Sequence, residues 1–190
     1  GAREELLRRA ERLLDETALR ALVAQFESRM GSALAAPVGE DGPSYEVIKI
    51  SAALSLLAKA LHDPDVMLRA VLSYSPQPNA IQQEEFARAY LDVDRPADAL
   101  TWLQGPWGHM ETTRQSMESD ALARLGRHSE SAPIRQGLFE RSLSVFDLHR
   151  WLEHLPDASR AEALQRARQL AFDHDDPTTA ATLLLEIGDD

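Results

Sequence analysis

Apolar residues recur along this chain at three- and four-residue intervals, and the intervals reset at proline, glycine and short polar residues. That spacing stacks apolar side chains on one face of a helix. The first segment, about Arg3 to Met30, sets Leu6, Leu7, Leu13, Leu14, Leu22 and Phe26 at near-helical spacing, and Gly31 reads as its stop. Residues 31–44 form a long Gly/Pro-rich connector. Ser44 is placed to cap a helix over 45–61, with Ile48, Leu54, Leu57 and Leu61 along one stripe.

Beyond residue 60 the punctuation is regular. Asp63-Pro64 reads as an N-cap with a first-turn proline and opens a short helix to Leu72. Asn79 with Gln82 fits a capping box ahead of Phe86 to Leu91. Pro96 restarts a helix through Leu103, which Gly105-Pro106 ends. A helix over about 110–125 stops at Gly126, Ser129 opens the next, and Ser144 with Asp147 opens another. Ser159 with Glu162 starts a helix reaching Phe172, and Asp176-Pro177 opens the last, which Gly188 closes. These are about ten helices, too short to persist without packing against neighbours.

Superposing Pro64, Pro96 and His128 shows a 32-residue period. Leu61, Val93 and Leu125 lie three positions before; Ala58, Tyr90 and Leu122 lie six before; Leu68, Leu100 and Ala132 lie four after. A fourth copy falls at Pro177, after an extra helix over about 144–154. Each copy is a longer helix, a tight turn and a shorter helix, a unit that buries its apolar face only when stacked on others. The expected fold is therefore all-α, a helical solenoid of stacked helix pairs. Residues 1–44 form an N-terminal helix and connector, and 45–190 one continuous repeat array.

Composition agrees. The chain has 28 Leu and 28 Ala, whereas Val, Ile and Thr number 7, 5 and 7, which disfavours sandwiches and parallel-sheet folds. It has no Cys, which removes disulfides and thiolate zinc sites together. Lys occurs twice against 18 Arg, a bias expected of a GC-rich bacterium. With a net charge of −11 and no basic stripe, nucleic acid is not an expected partner. No apolar run approaches the ~20 residues of a membrane span, and no signal peptide is visible, so the expected location is the bacterial cytoplasm. The opening Gly1-Ala2-Arg3 reads as a cloning remnant on a fragment of a longer protein.

At residues 87–103, ARAYLDVDRPADALTWL, the chain resembles a tetratricopeptide helix–turn–helix. Tyr90 takes the first-helix aromatic place, Ala99 the small second-helix place and Leu103 the large apolar place. The phrases KALHDPDVMLRAVL (59–72), LGRHSESAPIRQGLFERSLSVFDLHRWLEHLPD (125–157) and FDHDDPTTAATLLLEIGD (172–189) resemble a bacterial helical-repeat family filed as a domain of unknown function. The resemblance implies a right-handed α-α superhelix, a tetratricopeptide-like solenoid, and supplies no activity.

Candidate chemistry is sparse. There is no G-x-S-x-G elbow, P-loop or dinucleotide fingerprint, so no catalytic residue is assigned and an enzyme is not expected. His149 and His154, five apart on a helix, point about 140° away from each other and cannot share an ion. The cluster from Asp173 to Asp176 lacks the Gly and Glu of a calcium loop and reads as helix capping. No metal or cofactor is expected. Trp102 packs between helices, whereas Trp107 is either an aromatic anchor for a peptide or a cover over a shortened helix end. Arg114, Arg124, Arg127, Arg135 and Arg141 have Glu111, Glu118, Asp120, Glu130 and Glu140 nearby, so surface pairing is their expected fate.

The expected function is non-enzymatic binding of a protein or peptide in a groove, with Tyr90, Trp107 and Arg114 as its residues. A scaffold that docks against a further domain of the full-length protein is the first alternative. An enzyme whose site is invisible in sequence is the second. Oligomeric state is left open.

Overall fold

The computed structural model describes residues 10–35 and 42–188, and regular structure among them is entirely helical. The helices are α1 (Ala10–Leu13), α2 (Glu16–Leu34), α3 (Tyr45–Ala60), α4 (Pro64–Leu72), α5 (Ala80–Asp92) and α6 (Pro96–Trp102). After a 3₁₀ turn at Gly108–Met110 come α7 (Glu111–Arg124), α8 (His128–Ser142), α9 (Val145–Glu153), α10 (Asp157–Phe172) and α11 (Pro177–Gly188). None of the described helices is long and apolar enough to cross a membrane.

Local chemistry accounts for most starts. Asn79 and Gln82 form a reciprocal capping box, each side chain accepting the other's backbone N–H at 3.0 Å. Ser144 Oγ accepts from Asp147 N at 3.1 Å, and Asp176 accepts from the N–H groups of Thr178 and Thr179. These bonds satisfy amide donors that a helix start leaves without internal partners. The acidic run before Pro177 thus caps a helix through Asp176. Two expected starts shift. α10 begins at Asp157 because Pro156 takes the cap position, so Ser159 lies inside its first turn and Glu162 in its second. α8 begins at His128, one residue before Ser129.

The N-terminal segment also differs from the expected single helix. It breaks at Leu14-Asp15, where Asp15 Oδ1 accepts from Ala18 N at 2.8 Å and starts a new helix. Leu13 and Leu14 are exposed, Leu6 and Leu7 lie outside the described residues, and the buried positions of α2 are Leu19, Val23 and Met30. Gly31 is no stop, since α2 continues to Leu34.

The 32-residue period is a property of the turns. Each of the first three copies ends its longer helix with one left-handed residue at the same place: His62 (φ 50°), Asp94 (φ 54°) and Gly126 (φ 73°). In each, the next amide reaches back five residues: Asp63 N to Ala58 O, Arg95 N to Tyr90 O and Arg127 N to Leu122 O, all at 2.9 Å. This is the Schellman closure, which satisfies carbonyls at the end of each longer helix. The expected fourth copy lacks it. No positive φ occurs between Phe172 and Pro177, and the turn is longer by one residue.

The chain divides into two units, Gly1–Arg95 and Pro96–Asp190. In the first, α2 packs on α3 and α4, α3 on α4, and α4 on α5. Its core includes Leu19, Val47, Ile50, Leu54, Leu57, Val66 and Phe86. The buried face of α3 is therefore Val47, Ile50, Leu54 and Leu57, and Ile48, expected on that stripe, is 43% exposed. In the second unit α6 packs on α7, α7 on α8, α8 on α9, and α10 on α11, with α9 touching both α10 and α11. Phe139 and Trp151 stack there with ring centroids 5.5 Å apart, over Ala163, Ala167 and Leu183.

Two glycines give opposite expectations. A Cβ at either Gly31 or Gly126 meets nothing within 4 Å, so only backbone conformation matters. Gly126→Ala forces a side chain into the left-handed region and should cost about 1 kcal/mol. Gly31→Ala, inside a helix, should stabilise by about 0.5 kcal/mol. Urea unfolding followed by circular dichroism reads both signs.

Candidate functional site

In the first unit, α3 has a second stripe that the core does not use. Tyr45, Ile48, Lys49, Ala52, Leu56 and Lys59 follow i, i+3, i+4, i+7 spacing and share one face. Tyr45 is 81% exposed, and Lys49, Ala52 and Lys59 are exposed beside it. This face is one wall of a groove of about 1620 Å³. The opposite wall is the face of α5 formed by Glu85, Arg88, Ala89 and Asp92. Pro64, Met67, Val71 and Tyr74, again at helical spacing along α4 and just beyond it, line the apolar floor. Phe26 and Arg29 of α2 also line it, the Arg29 guanidinium lying 5.4 Å above the Phe26 ring.

The charges on the two walls are unlike the rest of the unit. Its arginines from residue 20 to 95 are all in ion pairs: Arg20 with Glu16 and Asp63, Arg29 with Glu46, Arg69 with Glu27, Arg88 with Glu84 and Arg95 with Asp65. Lys49 and Lys59, the chain's two lysines, meet no carboxylate among the described residues. Glu85 and Asp92 across the groove likewise meet no cation among the described residues. The α3 wall thus presents free positive charge and the α5 wall free negative charge, on either side of apolar surface.

The three residues expected to bind lie elsewhere. Tyr90 is buried on the far side of α5 from this groove; its hydroxyl donates to Asp65 Oδ1 at 2.6 Å, and the Arg95 guanidinium lies 4.7 Å above its ring. Those two partners hold the Asp65 carboxyl below its usual range, the Tyr90 hydrogen bond most strongly. Trp107 and Arg114 belong to the second unit and meet through Glu111. Trp107 is 4% exposed and its backbone N–H donates to Glu111 Oε2 at 3.3 Å. Arg114 donates to both Glu111 oxygens, to Glu118 at 2.7 Å and to the Leu103 carbonyl at 2.9 Å. The guanidinium drives the Glu111 carboxyl down to about 2. Trp107 is therefore buried, and Arg114 is held by Glu111, Glu118 and the Leu103 carbonyl.

The second unit also gathers the groups that sequence left scattered. Arg135, expected at the surface, is 1% exposed. It donates to Ser116 Oγ at 3.2 Å, to Ser116 O at 3.0 Å and to Asp120. Arg150 shares that carboxylate. His154 Nδ1 lies 3.1 Å from Ser131 Oγ, and its Nε2 3.8 Å from Asp120. Ser, His and Asp meet, but Ser131 is fully buried and Asp120 is committed to two guanidinium groups. The geometry serves packing rather than attack on a substrate. His149 turns away to Glu186 at 2.7 Å, so the two histidines diverge as the spacing requires. Among the described residues no three His, Asp or Glu groups converge as metal ligands.

The chain belongs to a family of unknown function (DUF6880), which it matches over residues 43–189, a span that includes both groove walls and the buried cluster. No curated protein and no solved structure matches it.

His154 makes the second unit sensitive to acid. Burial, then the neighbouring Arg135 and Arg150, outweigh Asp120 and Glu153 and hold the imidazole below its ordinary 6.5. The unfolded chain therefore binds a proton near 6.5 that the folded chain refuses until lower pH, so stability falls as pH drops through that window. Urea midpoints at pH 7.5 and 5.5 should differ less in His154→Gln than in the wild type.

Proposed function

We propose that this family member is a non-enzymatic protein- or peptide-binding module, tetratricopeptide-like in its helix pairs, from a bacterial cytoplasmic protein. The groove of the first unit receives the partner. The observation behind this reading is the exposed stripe of α3: apolar and cationic side chains at helical spacing, unused by the core and facing a second helix across an apolar floor. A fold keeps large side chains such as Tyr45 and Ile48 exposed in a lined concavity at some cost in solubility, and lined apolar concavities are where ligands bind. Binding is favoured over catalysis because the Ser131–His154–Asp120 meeting point is closed to substrate.

A scaffold role has its own support. Phe172 and Leu185, at 68% and 69% exposure, leave apolar surface on the last helix pair, where a further domain could dock. In that case hydrogen exchange in α11 should slow in a longer version of the protein, with the groove unaffected.

The groove reading is tested by selecting a random peptide display library against the 190-residue chain and measuring hits by fluorescence polarisation. Ala52→Trp, at an exposed position in the middle of the α3 wall, fills the groove without touching the core. Selected peptides should lose at least tenfold in affinity for that variant, with its circular dichroism and melting unchanged. Peptides that bind both forms equally would place the binding surface outside the groove.

A further inference from the structure

The charge on the two walls specifies what fits between them. Lys49 and Lys59 are ten residues apart on α3, about 15 Å along the helix, and Glu85 and Asp92 are seven apart on α5, about 10 Å. Among the described residues the four have no oppositely charged partner, although the chain carries 31 acidic residues against 20 basic ones and the neighbouring arginines all find partners. Between the two charged rows lies apolar surface from Ile48, Ala52 and Leu56 on one wall and Met67 and Val71 on the floor. A wholly acidic ligand would satisfy α3 and be repelled by α5; a wholly basic one would do the reverse. A neutral apolar ligand would leave four charges beside a dehydrated surface, which is costly.

Resting on the binding reading above, we propose that the groove recognises an amphipathic helical segment of another protein with an edge-to-edge charge pattern. Its apolar face lies on the floor, acidic side chains along one edge meet Lys49 and Lys59, and basic side chains along the other meet Glu85 and Asp92. Acidic residues three helical turns apart on the ligand match the lysine spacing, and basic residues two turns apart match the carboxylates. Such paired rows set partner choice and orientation more than bulk affinity. A helix can lie in the groove in the direction that puts each edge on its matching wall.

Four designed 18-residue helical peptides with one shared apolar face test this. One carries acids on one edge and bases on the other. A second is acidic on both edges, and a third basic on both. The fourth has the composition of the first, with acids in its N-terminal half and bases in its C-terminal half. The edge-polarised peptide should bind the full chain at least tenfold more tightly than the other three and weaken with added salt. Lys49→Glu/Lys59→Glu should lose that preference, and a peptide basic on both edges should then bind the variant best. Equal binding of all four peptides, abolished by Ala52→Trp, would overturn the charge pattern and leave the groove reading standing. Preference for the doubly acidic peptide would replace it with a plain acidic ligand. Binding of none, together with display hits insensitive to Ala52→Trp, would overturn both.

Discussion

One left-handed residue at each tight turn governs how this chain folds back on itself. At His62, Asp94 and Gly126 the backbone enters the positive-φ region, and the following amide closes on a carbonyl five residues earlier. The closure caps the longer helix and starts the shorter one within three residues. Pro64 and Pro96 then fit where they stand, because a first helical position has no use for an amide donor. Only Gly126 takes the conformation without cost from a Cβ; His62 and Asp94 bear that cost beside the closing hydrogen bond of the turn.

Polar groups are used differently in the two units. The second unit turns them inward: Asp120 bridges the guanidinium groups of Arg135 and Arg150, and Glu111 joins Arg114 to the Trp107 backbone. Buried charge of this kind needs every partner in place, since removing one leaves the other dehydrated and alone. It fixes which side chains face inward, and it consumes the arginines that a reading of charge alone would offer to a ligand. The first unit pairs its arginines from residue 20 to 95 at the surface, while its two lysines meet no carboxylate among the described residues. Its groove is consequently the place where unbalanced charge and exposed apolar surface coincide.

Much of the fold was legible in the sequence. Asn79 with Gln82, Ser144 with Asp147, and Asp176-Pro177 announced helix starts that depend on hydrogen bonds within three residues, and the 32-residue spacing of Pro64, Pro96 and His128 announced the turns. The boundaries that differ are also local: Asp15 caps a helix inside an apolar run that hides it, and Gly31 lowers helix propensity without ending the helix. The groove was not legible, and the rarity of lysine was its one visible trace.

What the sequence determined by itself is the helical class, most helix limits and the repeating turn, because each rests on contacts between residues close along the chain. The tertiary structure alone decided which stripe of a helix is core and which is surface. On α3, Val47, Ile50, Leu54 and Leu57 share their periodicity with Tyr45, Ile48, Ala52 and Leu56, and both stripes hold large apolar residues. Only the packing of α2 and α4 against one of them separates the two. The same holds for Tyr90, Trp107 and Arg135: aromatic or charged character does not say whether a side chain finds its partner inside the fold or outside it. That depends on which neighbour the folded chain brings within hydrogen-bonding distance.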